Sequence, residues 1–207
     1  QGRQTEGRPA EEETNGIIPF SRPPSTVKII VITKGGPMLL IGESLNVISR
    51  KIGKAFKERD PKPIQEEALF QKEKAMDFID INLGPAKKDG HELMPWVVET
   101  VQEVVDDLPL ALDTSNIDAI EATLKTIKPS ANGVPHIVNS IMVRPERYER
   151  MVPIAADAVA DFIALMWGPD GLPRDENERA ALSIKSSLIL NHVLNYRTEG
   201  LFWTRLC

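Results

Sequence analysis

The stretch DFIDINLGPAKKDGHELMPWVVETVQEVVDDLPLALDTSN, Asp77 to Asn116, decides the fold. It opens on one apolar run, DFIDINLGP (Asp77 to Pro85), closes on another, LPLALDTSN (Leu108 to Asn116), and carries a helical pattern between them. In that pattern Met94, Val97, Val98, Val101, Val104 and Val105 recur at the i, i+3, i+4, i+7 spacing of one buried helix face. Strand, helix, strand in this order reads as a right-handed βαβ unit with parallel strands.

The same unit extends in both directions. MLLIGESLN (Met38 to Asn46) precedes it, and HIVNS (His136 to Ser140) and ADFIALMWG (Ala160 to Gly168) follow. Ile117, Ile120, Leu124 and Ile127 form the next helical stripe, and Met151, Ile154, Ala155 and Ala158 the one after. The strand runs are almost continuously apolar, as expected where helices cover both faces of a parallel sheet. The class is therefore α/β. A closed barrel of such units needs eight and about 250 residues. Five are found, between Met38 and about Ser183.

At the N-terminus, residues 1–26 are rich in Gln, Glu, Gly, Arg and Pro and are expected to be disordered, since they offer little apolar surface to offset the entropy of ordering. VKIIVITKGGP (Val27 to Pro37) is a strand-like lead-in stopped by Gly-Gly-Pro, able to pair as a hairpin with the Met38 strand. The tail, residues 184–207, has no βα rhythm.

The 25 basic and 30 acidic residues are interspersed and give a net charge of −5, which argues against a nucleic-acid partner. No apolar run reaches the roughly 20 residues of a membrane span, and no secretory leader is read at the N-terminus. The single cysteine, Cys207, allows no intrachain disulfide and no thiolate metal cluster. The expectation is a soluble, cytoplasmic protein without a bound metal. His91, His136 and His192 lack ligand spacing, and there is neither a Walker loop nor GxGxxG nor a nucleophile elbow.

The polar residues that interrupt the apolar runs fall at C-terminal strand ends: Asn46, Asp80, Asn82, Asp113 and Asn139. In a parallel barrel these ends share one face, where active sites are built. Asp80 and Asn82 flank Ile81, so both side chains point to one side of the sheet. Asp113 can accept two parallel hydrogen bonds from a planar N–H pair, such as that of a 2-amino-4-oxopyrimidine, and the Asn139 amide can read a further ring edge. A structural reading stands beside each. Asp113 with Ser115 can cap the helix beginning near Asn116, Asp80 can be satisfied by backbone amides, and Glu43 or Asn46 can simply brace a loop.

Taken in order, IGESLN (Ile41 to Asn46), FKERDPKPIQEEALFQ (Phe56 to Gln71), IDINLGPAKKDG (Ile79 to Gly90), TVQEVVDDLPLALDTSNIDAIEATLK (Thr100 to Lys125) and IVNS (Ile137 to Ser140) form a specific set. It resembles the pterin-binding methyltransferases of the dihydropteroate synthase-like superfamily, and within them those that serve corrinoid/iron–sulfur proteins. The resemblance implies a TIM (β/α)8-type barrel, usually a homodimer, that takes methyltetrahydrofolate as substrate and passes its N5-methyl group to a corrinoid (cobalamin) carried by a partner protein. It assigns the pterin-ring carboxylate to Asp113 and the pterin-binding amide to Asn139, with Asn46, Asp80 and Asn82 lining the pocket. In the family an Asp on the sixth strand and an N5-contacting Asn on the seventh complete the site. Neither has a counterpart here, so a truncated or frame-shifted copy with an unclosed barrel is expected. Dihydropteroate synthase is the competing activity, but its loops read close to NVTPDSF and DIGGES where this chain has NVISRKI (Asn46 to Ile52) and DINLGP (Asp80 to Pro85). An inactive fragment that binds pterin weakly or not at all is the other alternative.

Overall fold

The fold was obtained as a computed structural model describing residues 39–194 except Lys87, with side chains to Leu188. The disordered stretch expected at 1–26, the lead-in at 27–37 and the last part of the tail lie outside the described residues. Among the described residues five strands, β1 (Ile41–Asn46), β2 (Phe78–Gly84), β3 (Leu110–Thr114), β4 (Ile137–Met142) and β5 (Asp161–Leu165), form one sheet in the order of the chain. All four pairings are parallel. This is the α/β order expected of five successive units of a TIM-type barrel.

Among the described residues six helices connect and follow the strands: α1 (Arg50–Glu58), α2 (Pro61–Glu73), α3 (Gly90–Gln102), α4 (Ile117–Leu124), α5 (Pro145–Asp157) and α6 (Glu176–Leu194). The first connection holds two helices because Asp60 and Pro61 divide it. Asp60 caps α2 by accepting from the Lys62 N–H at 3.1 Å, and Pro61 sits in the first turn, where a missing N–H costs nothing. Residue 184, where the tail was expected to begin, lies inside α6.

Strand alternation sorts the core into two layers. Ile79, Ile81, Leu83, Leu110, Leu112, Val138 and Phe162 face the helices, where they meet Met94, Val97, Val98, Val101, Ile120, Met151 and Ala155. Each such side chain, fully buried, contributes about 1.5–3 kcal/mol. The valine stripe of α3 is thus the core face that its spacing predicts, with Val104 at its border. On α5 Val152 joins Met151 and Ala155 in the core, whereas Ile154 is only partly buried. Phe78, Ala111, Ile137 and Ile163 make the second layer, on the concave face that a barrel turns inward.

His136 is a strut at the N-terminal end of the sheet. Its Nδ1 accepts from the Leu110 N–H at 2.9 Å and its Nε2 pairs with the Lys128 carbonyl at 2.8 Å, which makes Nε2 the protonated nitrogen. Burial holds its pKa below the ordinary histidine value.

Candidate active site at the strand ends

The strand register places the site. Asn46 pairs with Asn82, Asn82 with Asp113, and Asp113 with Asn139, so four polar side chains occupy one rung across β1 to β4. Ile163 continues the rung on β5. Below it, Asp80 pairs with Ala111, and Ala111 with Ile137. Asp80 and Asn82 share the concave face with Phe78, as alternation about Ile81 requires.

Hydrogen bonds tie these residues across strands. Asn82 Nδ2 donates to Asp113 Oδ2 at 2.6 Å, and Asn82 Oδ1 accepts from the Gly84 N–H at 2.8 Å. Asn139 Nδ2 donates to Asp80 Oδ1 at 2.9 Å. Depth is graded: Asp80 is 1% and Asn139 8% exposed, while Asn46, Asn82 and Asp113 are half-buried at the rim. The buried acceptor Asp80 is therefore supplied with a side-chain donor, which removes much of the cost of its burial. Asn46 turns its Oδ1 to the Ile48 N–H at 3.0 Å and so braces the β1–α1 loop. Glu43 is exposed and lies in the irregular stretch between Gly42 and Leu45, where β1 carries one residue more than β2.

The helix after β3 is capped by Asn116, not by Asp113 with Ser115. Asn116 Oδ1 accepts from the N–H groups of Asp118 at 3.0 Å and Ala119 at 3.3 Å. One residue of displacement frees Asp113 from capping and leaves it on the rung. The same asparagine donates from Nδ2 to the Ala86 carbonyl at 2.7 Å, and Thr114 Oγ1 donates to the Gly84 carbonyl at 2.6 Å. Together they fasten the β2–α3 loop to the β3–α4 loop. Asn116 and Thr114 were not singled out in the sequence, although an Asn directly before a helical stripe is a capping signal. Arg147 of α5 adds a third tie, donating from Nη1 to the Ser115 carbonyl. Its half-buried position depresses the guanidinium pKa by desolvation. Among the described residues no group of three or more His, Cys, Asp or Glu is placed to hold a metal ion.

A carboxylate flanked by two carboxamides on one rung is suited to a flat, hydrogen-bonding heterocycle, since together they offer acceptors and donors in nearly one plane. Comparison with known proteins bears on what that ring is. The sequence pattern of the pterin binding enzymes matches residues 42–189, from β1 into α6. The chain belongs to the pterin-binding enzyme family. It is also 27% identical over 148 residues to the methylcorrinoid:tetrahydrofolate methyltransferase of Eubacterium limosum, an alignment covering 70% of this chain and 52% of that protein. The chain thus spans about half the length of the curated relative it matches. The region matched to the pterin-binding enzymes contains the whole polar rung and, but for Ile41 at the start of β1, all five strands. No helix among the described residues is long and apolar enough to cross a membrane.

Proposed function

We propose that the chain binds the pterin ring of methyltetrahydrofolate on the Asn82–Asp113–Asn139 rung and takes part in methyl transfer between N5 of that ring and a corrinoid carried by a partner protein. The observation that carries the reading is Asp113, released from capping, half-buried, and fixed by the 2.6 Å bond from Asn82 to one of its oxygens. A carboxylate has about four lone-pair sites, so a ring N–H and the 2-amino group can be accepted alongside that bond. The E. limosum relative supports the substrate pair by its name, which writes the transfer from corrinoid to tetrahydrofolate. The direction proposed here is the reverse one.

In that direction the N5–methyl bond breaks and its electron pair stays on N5, while a Co(I) corrinoid donates the pair that forms the new Co–C bond. An uncharged tertiary amine is a poor leaving group. A proton on N5 converts the departing nitrogen to a neutral amine, and fixed polar groups that hold the ring assist by preorganisation. The residues of this chain serve the binding part: Asp113 and Asn139 fix the ring, and Asn82 fixes Asp113. Release of the methyl group requires, besides these contacts, a proton source at N5.

The test is calorimetric titration of the chain with methyltetrahydrofolate, with Asp113→Asn beside it. Saturable binding that disappears in the variant, followed by methyl transfer to cob(I)alamin, supports the proposal. Binding without transfer leaves a pterin-binding fragment, and condensation of a pterin pyrophosphate with p-aminobenzoate would make it a dihydropteroate synthase. Absence of binding in a folded sample overturns the assignment.

A further inference from the structure

Leu165 and Trp167, at the C-terminal end of β5, are half-buried, yet neither is packed into either apolar layer formed by the described residues. Their neighbours fix the side of the sheet on which they lie. Ala164 and Met166 belong to the helix-side core, and a Cβ at Gly168 would lie 3.1 Å from Leu182 of α6, which packs on that same core. Alternation thus continues past the last residue of the strand, and Leu165 and Trp167 fall on the concave side with Ile163. Ile163 stands beside Asn139 in the sheet. Trp167 is four residues further on, at most about 13 Å toward the mouth at about 3.3 Å per residue. The backbone that carries the indole is tied on both sides. The Trp167 carbonyl accepts from the Val143 N–H at 3.1 Å, and its own N–H donates to the Leu165 carbonyl at 2.7 Å. Gly168 and Gly171 exchange backbone bonds of 3.0 and 3.1 Å across a tight turn, with Gly171 at φ 106°, and Arg144 Nε donates to the Gly168 carbonyl at 3.2 Å. A large flat apolar side chain, left half-open on a fixed backbone beside a polar rung, suits a flat partner.

We propose that Trp167 receives the p-aminobenzoyl ring of a folate, so that the site takes conjugated folates in preference to bare pterins. The inference rests on the reading of the rung as a pterin site. With N3–H and the 2-amino group on Asp113 of β3 and the next contact on Asn139 of β4, the fused rings run along the rung in the direction of β5. C6, at the far end of the ring system, then comes nearest to β5, and its substituent leaves the rung beside that strand. In folates the substituent is a methylene and an amine followed by the benzoyl ring, which meets Leu165 and then Trp167. A bare pterin carries only a short group at C6 and ends before them. The signature of the contact is a ratio of affinities, which a merely structural role of the indole would not move.

Tetrahydrofolate and 6-methyltetrahydropterin share one reduced ring and differ in the tail, so anaerobic calorimetric titration of both isolates the contact. The wild-type chain is expected to bind tetrahydrofolate at least about tenfold more tightly, the scale of one aromatic stack with the apolar area it covers. In Trp167→Ala tetrahydrofolate should weaken about tenfold while 6-methyltetrahydropterin keeps its affinity. Trp167→Phe, which restores an aromatic face, should recover most of the difference. Where the alanine variant does not fold, Trp167→Leu keeps the apolar bulk without the aromatic face and is read by the same ratio. A wild-type ratio near one, an unchanged ratio in a variant whose circular dichroism shows it folded, or an equal loss of both ligands overturns the proposal. Asp113-dependent binding of 6-methyltetrahydropterin to the wild type leaves the pterin assignment standing in each of those cases. Failure of both ligands to bind the wild type overturns that assignment and the proposal together.

Discussion

Asn139 donates to Asp80 at 2.9 Å across a strand that belongs to neither of them, 59 residues apart in the chain. The strand between is β3, and the residue it places beside Asp80 is Ala111, fully buried among Phe78, Ile137 and Ile163. A small side chain at that point lets the two polar groups meet over it. Ala111→Leu should both overpack the inner layer and separate the pair, lowering stability by about 1–3 kcal/mol. Urea unfolding measures the first effect and loss of tetrahydrofolate binding the second. An unchanged midpoint with unchanged binding would mean that the pair does not depend on the gap.

Gly53 inverts a usual rule. Glycine to alanine inside a helix normally stabilises by up to about 1 kcal/mol, but a Cβ at Gly53 would lie 2.2 Å from the Val47 carbonyl oxygen. Because the Val47 N–H donates to the Asn82 carbonyl at 2.9 Å, pushing this loop also disturbs the rung. Gly53→Ala should therefore lower the thermal midpoint and weaken pterin binding together. A stabilised variant would show that the loop yields without cost.

Gln71 of α2 is 3% exposed, and among the described residues neither its Nε2 nor its Oε1 has a hydrogen-bond partner. Methionine has similar length and no amide to desolvate. Gln71→Met is expected to raise stability by about 1–3 kcal/mol in urea unfolding. A loss instead would point to water satisfying the amide.

His136 makes stability depend on pH in a defined direction. The folded protein keeps the ring neutral, with a pKa below the ordinary value of about 6.5, while the unfolded chain takes up a proton near that value. Below about pH 6.5 the unfolded state binds more protons, so stability is full above that point and falls as pH drops toward the depressed native value. The urea midpoint should decline over this interval. In His136→Asn the decline should be smaller, from a lower plateau, because the Leu110 N–H and the Lys128 carbonyl lose the ring that joins them.

The elements of the fold were legible because they are local. The valine stripe of α3 and the apolar run of β2 announce themselves within a dozen residues, and alternation alone put Asp80 and Asn82 on one side. The division of the β1–β2 connection into two helices went unread, although an Asp followed by Pro is a helix-start signal. What the sequence withheld is pairing over distance. Nothing near Asp80 names Asn139 as its donor, and nothing near Asp113 names Asn82, because each bond depends on strand registers set by the whole sheet. The cap was misplaced by one residue for a related reason: Asp113, Ser115 and Asn116 are all good caps, and only the backbone path decides which one meets the first free N–H groups.

The single rung has a consequence for assembly. Side chains alternate between faces, so a slip of one residue in any pairing would carry that strand's polar group into the helix-side core and expose its apolar neighbours to the concave face. Asn82 would change places with Ile81, or Asp113 with Leu112, each exchange burying a polar or charged group among aliphatic side chains. The residues of the rung thus penalise misaligned sheets, and the proposed pterin binding would serve as a direct reporter that all of these strands have been laid down in their proper alignment.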